Sequence, residues 1–313
     1  MALDPFTAAV LQRMSAAYPD LGRTVTDATQ ARAIYAKALF PRGPEVAAVS
    51  DRVLPGGIRV RIYRPVDDPA DLPVVVYFHG GGFVLCDLDS HDGVCRRLAT
   101  CAGAIVVSVD YRRAPEHRFP AAVDDAYAAV RWVVDHAAEL GGDPSRLATA
   151  GDSAGGLLAT VCCLRARHEH GPSIAYQLLI YPMTDCLAPR RENAEGYLLT
   201  SRHMRWFAEQ YLPDLTDGEH PYASPLRAPD LTGLPPCLVL TGEHDPLRTE
   251  GEAYAARLAE AGVPVARHRV DGLFHGLFGL GELVPVARTA EELACAGLRE
   301  GLSPVAVSAR ARG

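Results

Sequence analysis

Arg146-Leu147-Ala148-Thr149-Ala150-Gly151-Asp152-Ser153-Ala154-Gly155-Gly156 is the stretch on which the reading of this chain turns. A short apolar run of strand length (146–150) stops at Gly151, and a helical pattern of apolar residues starts at Ala154 and runs to about His168. Gly-x-Ser-x-Gly alone is a weak match, since both residues are common. Its position directly between a strand and a helix gives it weight, because a serine on so sharp a turn is presented as a nucleophile. The turn forces the serine into strained backbone space, and the residues two places away must lack bulk. Gly151, Gly155 and the additional Gly156 meet that requirement. The plain alternative is a glycine-rich turn with an incidental serine, so the partners of a nucleophile must be sought elsewhere.

Outward from this stretch the chain alternates. Short apolar runs occur at 74–78, 104–109, 176–180 and 237–240, and Val265 to Val270, apolar mainly at its ends, closes the set; such runs suit strands covered on both faces. Residues 58–63 alternate apolar and polar like a half-buried strand, and a strand signal begins near Val53. Helical patterns fall at 121–139, 154–168 and 250–261, with a further helix around 286–298. Strand followed by helix, repeated, is the mark of an α/β fold with a mostly parallel sheet. Phe6, Val10, Leu11 and Met14, then Ala31, Ile34, Tyr35, Ala38 and Leu39, suggest two N-terminal helices. The segment between Ile180 and Cys237 is longer than a crossover needs and holds a helical piece at Ser201–Tyr211. It reads as an insertion that caps the site together with the N-terminal helices. The expected division is cap helices at 1–45, a catalytic core at 46–184 and 226–313, and a cap insertion at 185–225.

The first partner of Ser153 follows the run 74–78. In His79-Gly80-Gly81-Gly82-Phe83, three glycines let backbone N–H groups approach a substrate oxygen. Fixed donors are needed where negative charge develops in a tetrahedral intermediate. Two of the N–H groups of Gly80, Gly81 and Gly82, with the N–H of Ala154, are expected to form this oxyanion hole. A phosphate-binding loop would be followed by Gly-Lys-Ser/Thr, which Phe83-Val84-Leu85 does not supply. His79 is read as a structural residue that holds the loop.

Eleven histidines compete for the role of base. The chain order that accompanies this turn is serine, then carboxylate, then histidine. Of the seven histidines after Ser153, His275 lies in a loop just past the final strand, in Phe274-His275-Gly276. The carboxylate belongs at the end of an earlier strand. Asp245, in Glu243-His244-Asp245-Pro246-Leu247, is preferred, with Glu243 as the local competitor and Asp185 as the distant one. Asp152 points differently along the turn and is not expected to reach the base.

Composition removes several other classes of function. Hydrophobic residues at 48% and charged residues at 22% suit a globular enzyme and not a disordered chain. The net charge is −7, and basic residues occur only as scattered pairs such as Arg96-Arg97, Arg112-Arg113 and Arg190-Arg191, with Arg310 and Arg312 in the tail. A nucleic-acid partner is not indicated. The N-terminus lacks the pattern of a signal peptide, and no apolar stretch is long enough to span a bilayer, so stable membrane insertion is not expected and a cytoplasmic location is. Eight cysteines without a CxxC read as buried small hydrophobes in a reducing compartment rather than a disulfide framework.

His79-Gly80-Gly81-Gly82, Tyr111-Arg112-Arg113-Ala114-Pro115-Glu116, Gly151-Asp152-Ser153-Ala154-Gly155-Gly156, Asp245-Pro246-Leu247 and Phe274-His275-Gly276 together resemble the hormone-sensitive-lipase-like family of bacterial esterases, from about residue 50 onward. The resemblance implies an α/β-hydrolase fold with an eight-stranded core and a helical cap. It further implies no cofactor or metal, and hydrolysis of small-molecule carboxylic esters with short to medium acyl chains. Lactone or amide hydrolysis, acyl transfer, or a non-catalytic receptor on the same fold are the alternatives. A homodimer at the sheet edge is a family-level expectation. Arg113 departs from the apolar residue usual in the family, with an expected effect on packing near Glu116.

Overall fold

The computed structural model describes residues 3, 5–38, 40–67, 71–189 and 192–304. Leu39, the Arg190-Arg191 pair, Arg310 and Arg312 lie outside the described residues. The apolar runs become one eight-stranded sheet: β1 (Ala48–Val53), β2 (Arg59–Arg64), β3 (Leu72–Phe78), β4 (Ile105–Asp110), β5 (Gly142–Asp152), β6 (Tyr176–Ile180), β7 (Cys237–His244) and β8 (Val265–Phe274). Its order is β1-β2-β4-β3-β5-β6-β7-β8. The β1–β2 and β2–β4 pairs are antiparallel and the others parallel. This is the mostly parallel sheet expected from the alternation of strand and helix.

The period of two along each strand sorts side chains to the two faces. Val74, Val76 and Phe78 of β3 join one apolar cluster, while Val75 and Tyr77 join the other. The first cluster is covered by α4 (Ala121–Asp135), α5 (Ala154–His168) and α7 (Arg248–Glu260). The second is covered by α3 (Asp92–Ala102) and α8 (Pro285–Gly301). The result is a three-layer α/β/α arrangement, in which the turns leaving the C-terminal ends of the strands share one edge of the sheet.

Three helices lie outside these layers. α1 (Pro5–Ala17) and α2 (Ala28–Tyr35) begin the chain, and α6 (Ser201–Tyr211) sits in the long segment between β6 and β7. Asp27 caps α2 by accepting from the Gln30 N–H, and Thr200 caps α6 by accepting from the His203 N–H. The Trp206 indole donates to the Thr26 carbonyl at 3.0 Å, and Arg202 pairs with Asp20 at 2.6 Å. The N-terminal segment and α6 are therefore tied to each other although about 180 residues separate them.

The cysteine expectation needs correction. Six cysteines are free and buried, as read. Cys101 and Cys295 are joined as a disulfide between α3 and α8, with Cα atoms 5.6 Å apart. Packing of both helices on one sheet face brings together residues 194 positions apart in sequence, which no local spacing reveals.

Candidate active site

Ser153 stands between β5 and α5 with φ 55° and ψ −119°, a conformation that an L-residue adopts only under constraint. The constraint is steric. A Cβ on Gly155 would collide with the Phe78 carbonyl oxygen, and one on Gly151 would meet the Gly155 backbone. Only glycine permits α5 to start so close to the neighbouring strand, and that closeness sets the serine at the head of the helix. The first-turn N–H groups and the dipole of α5 favour negative charge beside Ser153.

The base and carboxylate arrive from β8 and β7, which lie beyond β6 from the strand that leads to Ser153. His275 directly follows β8, which runs on to Phe274 rather than ending before the loop. Its Nε2 lies 3.0 Å from Ser153 Oγ, and its Nδ1 lies 2.8 Å from Asp245 Oδ2. Asp245 is fully buried just past β7, and its Oδ1 accepts from the Leu247 N–H at 2.7 Å. The competitors are engaged elsewhere. Glu243 accepts from the Gly272 N–H at 2.8 Å, bracing the end of β8 ahead of His275. Asp185 pairs with Arg227 at 2.9 Å. Ser153, His275 and Asp245 thus form a hydrogen-bonded line with the geometry of an activated nucleophile, its base and an orienting acid.

The glycine loop is more differentiated than its sequence suggests. The Gly80 N–H donates to Asp152 Oδ1 at 2.9 Å, so Gly80 leaves the set of oxyanion donors. Among the described residues the N–H groups of Gly81 and Gly82 have no acceptor, and both residues line the cavity that holds Ser153. A Cβ on Gly82 would run into the Phe207 ring of α6, so the loop and the capping helix touch at this point.

Asp152 is the residue whose part was not foreseen. It is buried beside Ser153, points away from His275, and accepts from the Tyr77 hydroxyl at 2.7 Å as well as from Gly80. The Nε2 of His91, at the start of α3, lies 3.2 Å from the same carboxylate oxygen. Burial works to raise the pKa of Asp152, but the nearby His91 and the donated hydrogen bonds outweigh it and hold the carboxyl below its ordinary value. His79 holds the loop as expected. It is buried, its ring stacks on Tyr111 with centroids 4.3 Å apart, and its Nδ1 lies 2.8 Å from the Gly80 carbonyl oxygen. Burial, with His91 adding to it, pushes its pKa down to about 4, which keeps the ring neutral near pH 7. Arg113 donates to the Cys86 carbonyl, while Glu116 pairs with Arg32 of α2 at 2.7 Å.

Above Ser153 is a cavity of about 420 Å³. Its walls are mainly apolar and come from α1, α2, α6 and the loop after His275, including Val10, Tyr18, Tyr35, Met204, Phe207 and Phe278. A pocket of this size and character suits a small, largely apolar ligand. Among the described residues no cluster of side chains fits a metal ion.

Known proteins share the fold that carries this site. A family model described as alpha/beta hydrolase fold matches residues 75–279. The chain is 48% identical over 253 residues to Esterase LipI of Mycobacterium tuberculosis, covering 78% of each chain. It is 47% identical over 251 residues to Carboxylesterase NlhH of the same species, covering 78% of this chain and 79% of that one. It is 43% identical over 236 residues to an ethyl acetate hydrolase of Pseudomonas putida, covering 73% and 74%. Among solved structures, the hyperthermophilic esterase of the archaeon Pyrobaculum calidifontis superposes with a TM-score of 0.89 at 41% identity, over 97% of this chain and 100% of that one.

Proposed function

The chain belongs to the alpha/beta hydrolase family, and on that premise we propose that it hydrolyses carboxylic esters of short to medium acyl chain through Ser153, His275 and Asp245. The observation that carries the residue assignment is the continuous line from Asp245 Oδ2 through His275 to Ser153 Oγ, with steps of 2.8 and 3.0 Å.

The reaction is a double displacement. Ser153 Oγ attacks the ester carbonyl carbon while His275 Nε2 takes its proton. The carbonyl oxygen, now negative, is held by the N–H groups of Gly81, Gly82 and Ala154, where one such donor is worth roughly 2.7–4 kcal/mol. Collapse breaks the bond to the alcohol, which leaves with the proton from His275. Water then gives a proton to His275 and attacks the acyl-serine, and collapse releases the acid as Ser153 Oγ takes the proton back from His275. Asp245 keeps the imidazole in one tautomer and stabilises its protonated form. His275 must carry a free Nε2 lone pair to take the serine proton.

Residues 1–45 and 185–225 serve as the cap, and 46–184 with 226–313 as the catalytic core. The shared lining of the cavity by α1, α2 and α6 supports that division. A homodimer would form along β8, an open sheet edge whose residues Ala266 to Arg269 are exposed; light scattering on the purified chain tests it. Among the described residues no helix is long and apolar enough to cross a membrane. A cytoplasmic location stands against the Cys101–Cys295 bond, since disulfides persist mainly in oxidising compartments. Thiol labelling of the protein in freshly lysed cells decides it, with eight reactive thiols after unfolding expected for the cytoplasm and six for an oxidising compartment.

Hydrolysis of 4-nitrophenyl esters of rising acyl length, with Ser153→Ala in parallel, tests the activity. Turnover of short esters by the wild type and none by the variant is expected. A wild type inactive on all of them, or a variant as active as the wild type, overturns the reading.

A further inference from the structure

The cavity over Ser153 is mainly apolar, and its few charged groups are unevenly placed. Among the described residues its only acid is Asp152, whose carboxylate is taken up by Tyr77, Gly80 and His91. Among the described residues its only fixed cations are Arg13 of α1 and Lys37, two residues beyond α2. Both are exposed.

The surroundings of these two cations are short of acids. The chain holds 38 Asp and Glu residues, yet none occurs in residues 5–19 or 28–44, the two stretches that carry Arg13 and Lys37. The other cations of these stretches have partners: Arg32 pairs with Glu116, and Arg42 with Glu45. Glu282, between the lining residues Leu280 and Leu283, pairs with Arg97. Arg13 and Lys37 enter no ion pair and no side-chain hydrogen bond among the described residues. Lys37 is also the only lysine in a chain that otherwise uses arginine. A chain of net charge −7 thus presents a positive rim to its own active-site cavity, and apolar walls focus such a field instead of screening it.

We infer that Arg13 and Lys37 form an anion-recognising subsite, so that favoured esters carry a carboxylate at the end of the chain remote from the ester bond. The inference rests on the esterase reading and adds the substrate class. Such an ester would place its apolar methylenes along the cavity walls and its charge between the two cations, while the carbonyl sits at Ser153. Without a cation at the rim, the same carboxylate would lose hydration on entering an apolar cavity and would be rejected.

Two matched pairs of esters test this, one for each side of the ester bond. The 4-nitrophenyl monoester of adipic acid is compared with 4-nitrophenyl hexanoate, and the butyrate ester of 5-hydroxypentanoate with pentyl butyrate. The readout is the charged-to-neutral ratio of kcat/KM. In at least one pair the ratio should be about one or higher in the wild type. It should fall about tenfold in the double variant Arg13→Gln/Lys37→Gln, the size of one charge-assisted contact. It should also fall as salt rises, because the contact is near the surface. Ratios far below one in both pairs, or ratios indifferent to the substitutions and to salt, overturn the subsite and mean that the two cations are ordinary solvated charges. If neither neutral ester is turned over, it is the esterase reading that fails. Calorimetric binding of adipate to the wild type and the double variant then decides the subsite alone, with weaker binding by the variant expected and equal binding contradicting it.

Discussion

Two Asp–His pairs flank Ser153, and they are built in opposite ways. On the base side, Asp245 and His275 stand at the ends of β7 and β8, and the imidazole nitrogen remote from the acid faces Ser153 Oγ at 3.0 Å. On the oxyanion side, Asp152 pairs with His91, whose remote nitrogen faces Ser90 Oγ at 3.0 Å and no reacting atom. The first pair is placed by the sheet itself. The second holds a loop with no ladder of its own, and more tethers assist it: Tyr111 donates to the His79 carbonyl at 2.7 Å, and Arg32 donates to the Val84 and Ala114 carbonyls. In the proposed mechanism the same pairing of residue types serves proton transfer on one side and positioning on the other. The atom facing the second imidazole nitrogen separates the two roles.

The largest effect should come from the base side. His275→Ala removes the proton acceptor and is expected to lower kcat by about 10⁴- to 10⁶-fold with stability little changed. Asp245→Asn should cost about 10⁴-fold, because the imidazole is then held in the wrong tautomer. Steady-state kinetics beside thermal melts check both, and a loss below tenfold in either would break the contrast.

On the oxyanion side the expected loss is smaller. Asp152→Asn leaves the triad in place but weakens the hold on the Gly80 N–H, and a drop of about 10- to 100-fold in kcat is expected, by analogy with groups that position others. His91→Gln should act in the same direction. If Asp152→Asn equalled His275→Ala in effect, Asp152 would belong to the reacting line and the contrast would fail.

Two further variants probe the tethers. Replacing Cys101 and Cys295 by serine releases α3, the helix that starts just after His91, from α8. A stability loss of about 2–5 kcal/mol is expected from chemical unfolding, the usual cost of removing a native disulfide. The smallest effect concerns Arg32 and Glu116. The Arg32 guanidinium holds the Glu116 carboxyl down at about 2, against an ordinary value of 4.5. A depressed carboxyl contributes stability above its unfolded pKa and loses it as pH falls through the folded one. The stability gap between wild type and Arg32→Gln should therefore be full above pH 4.5 and shrink towards pH 2. Its pH-dependent part should be about 1 kcal/mol or less for a half-exposed pair. Unfolding measured across that range checks it, and a gap that grows on acidification would reverse the sign.

The division between the two sides also marks what could be read from the sequence. The base side was legible because Ser153 and Asp245 follow strands whose apolar runs are visible, and because the order Ser, Asp, His is fixed in such folds and leaves His275 after the last strand. α5 and α6 lie where their periodicity put them, and most other elements differ by only a few residues at their ends. α3 was overlooked, although Val94, Cys95, Leu98, Ala99 and Ala102 repeat at helical spacing; its two arginines and Gly93 obscured a short apolar face. The oxyanion side was read only in outline. That Gly80 gives its N–H to Asp152, that His91 meets the same carboxylate, and that Cys101 reaches Cys295 are all contacts between distant segments, set by layer packing and not by local pattern. The expectation that Asp152 would point away from His275 did follow from the turn, but its destination did not.

The most direct measurement is covalent capture of the nucleophile. The protein is treated with an aryl fluorophosphonate, and the adduct is located by mass spectrometry of its peptides. A single adduct on Ser153, lost in Ser153→Ala and strongly slowed in His275→Ala, is the expected result. An adduct on another serine, or one that forms on Ser153 at the same rate without His275, would contradict the assignment of Ser153 as a nucleophile activated by His275.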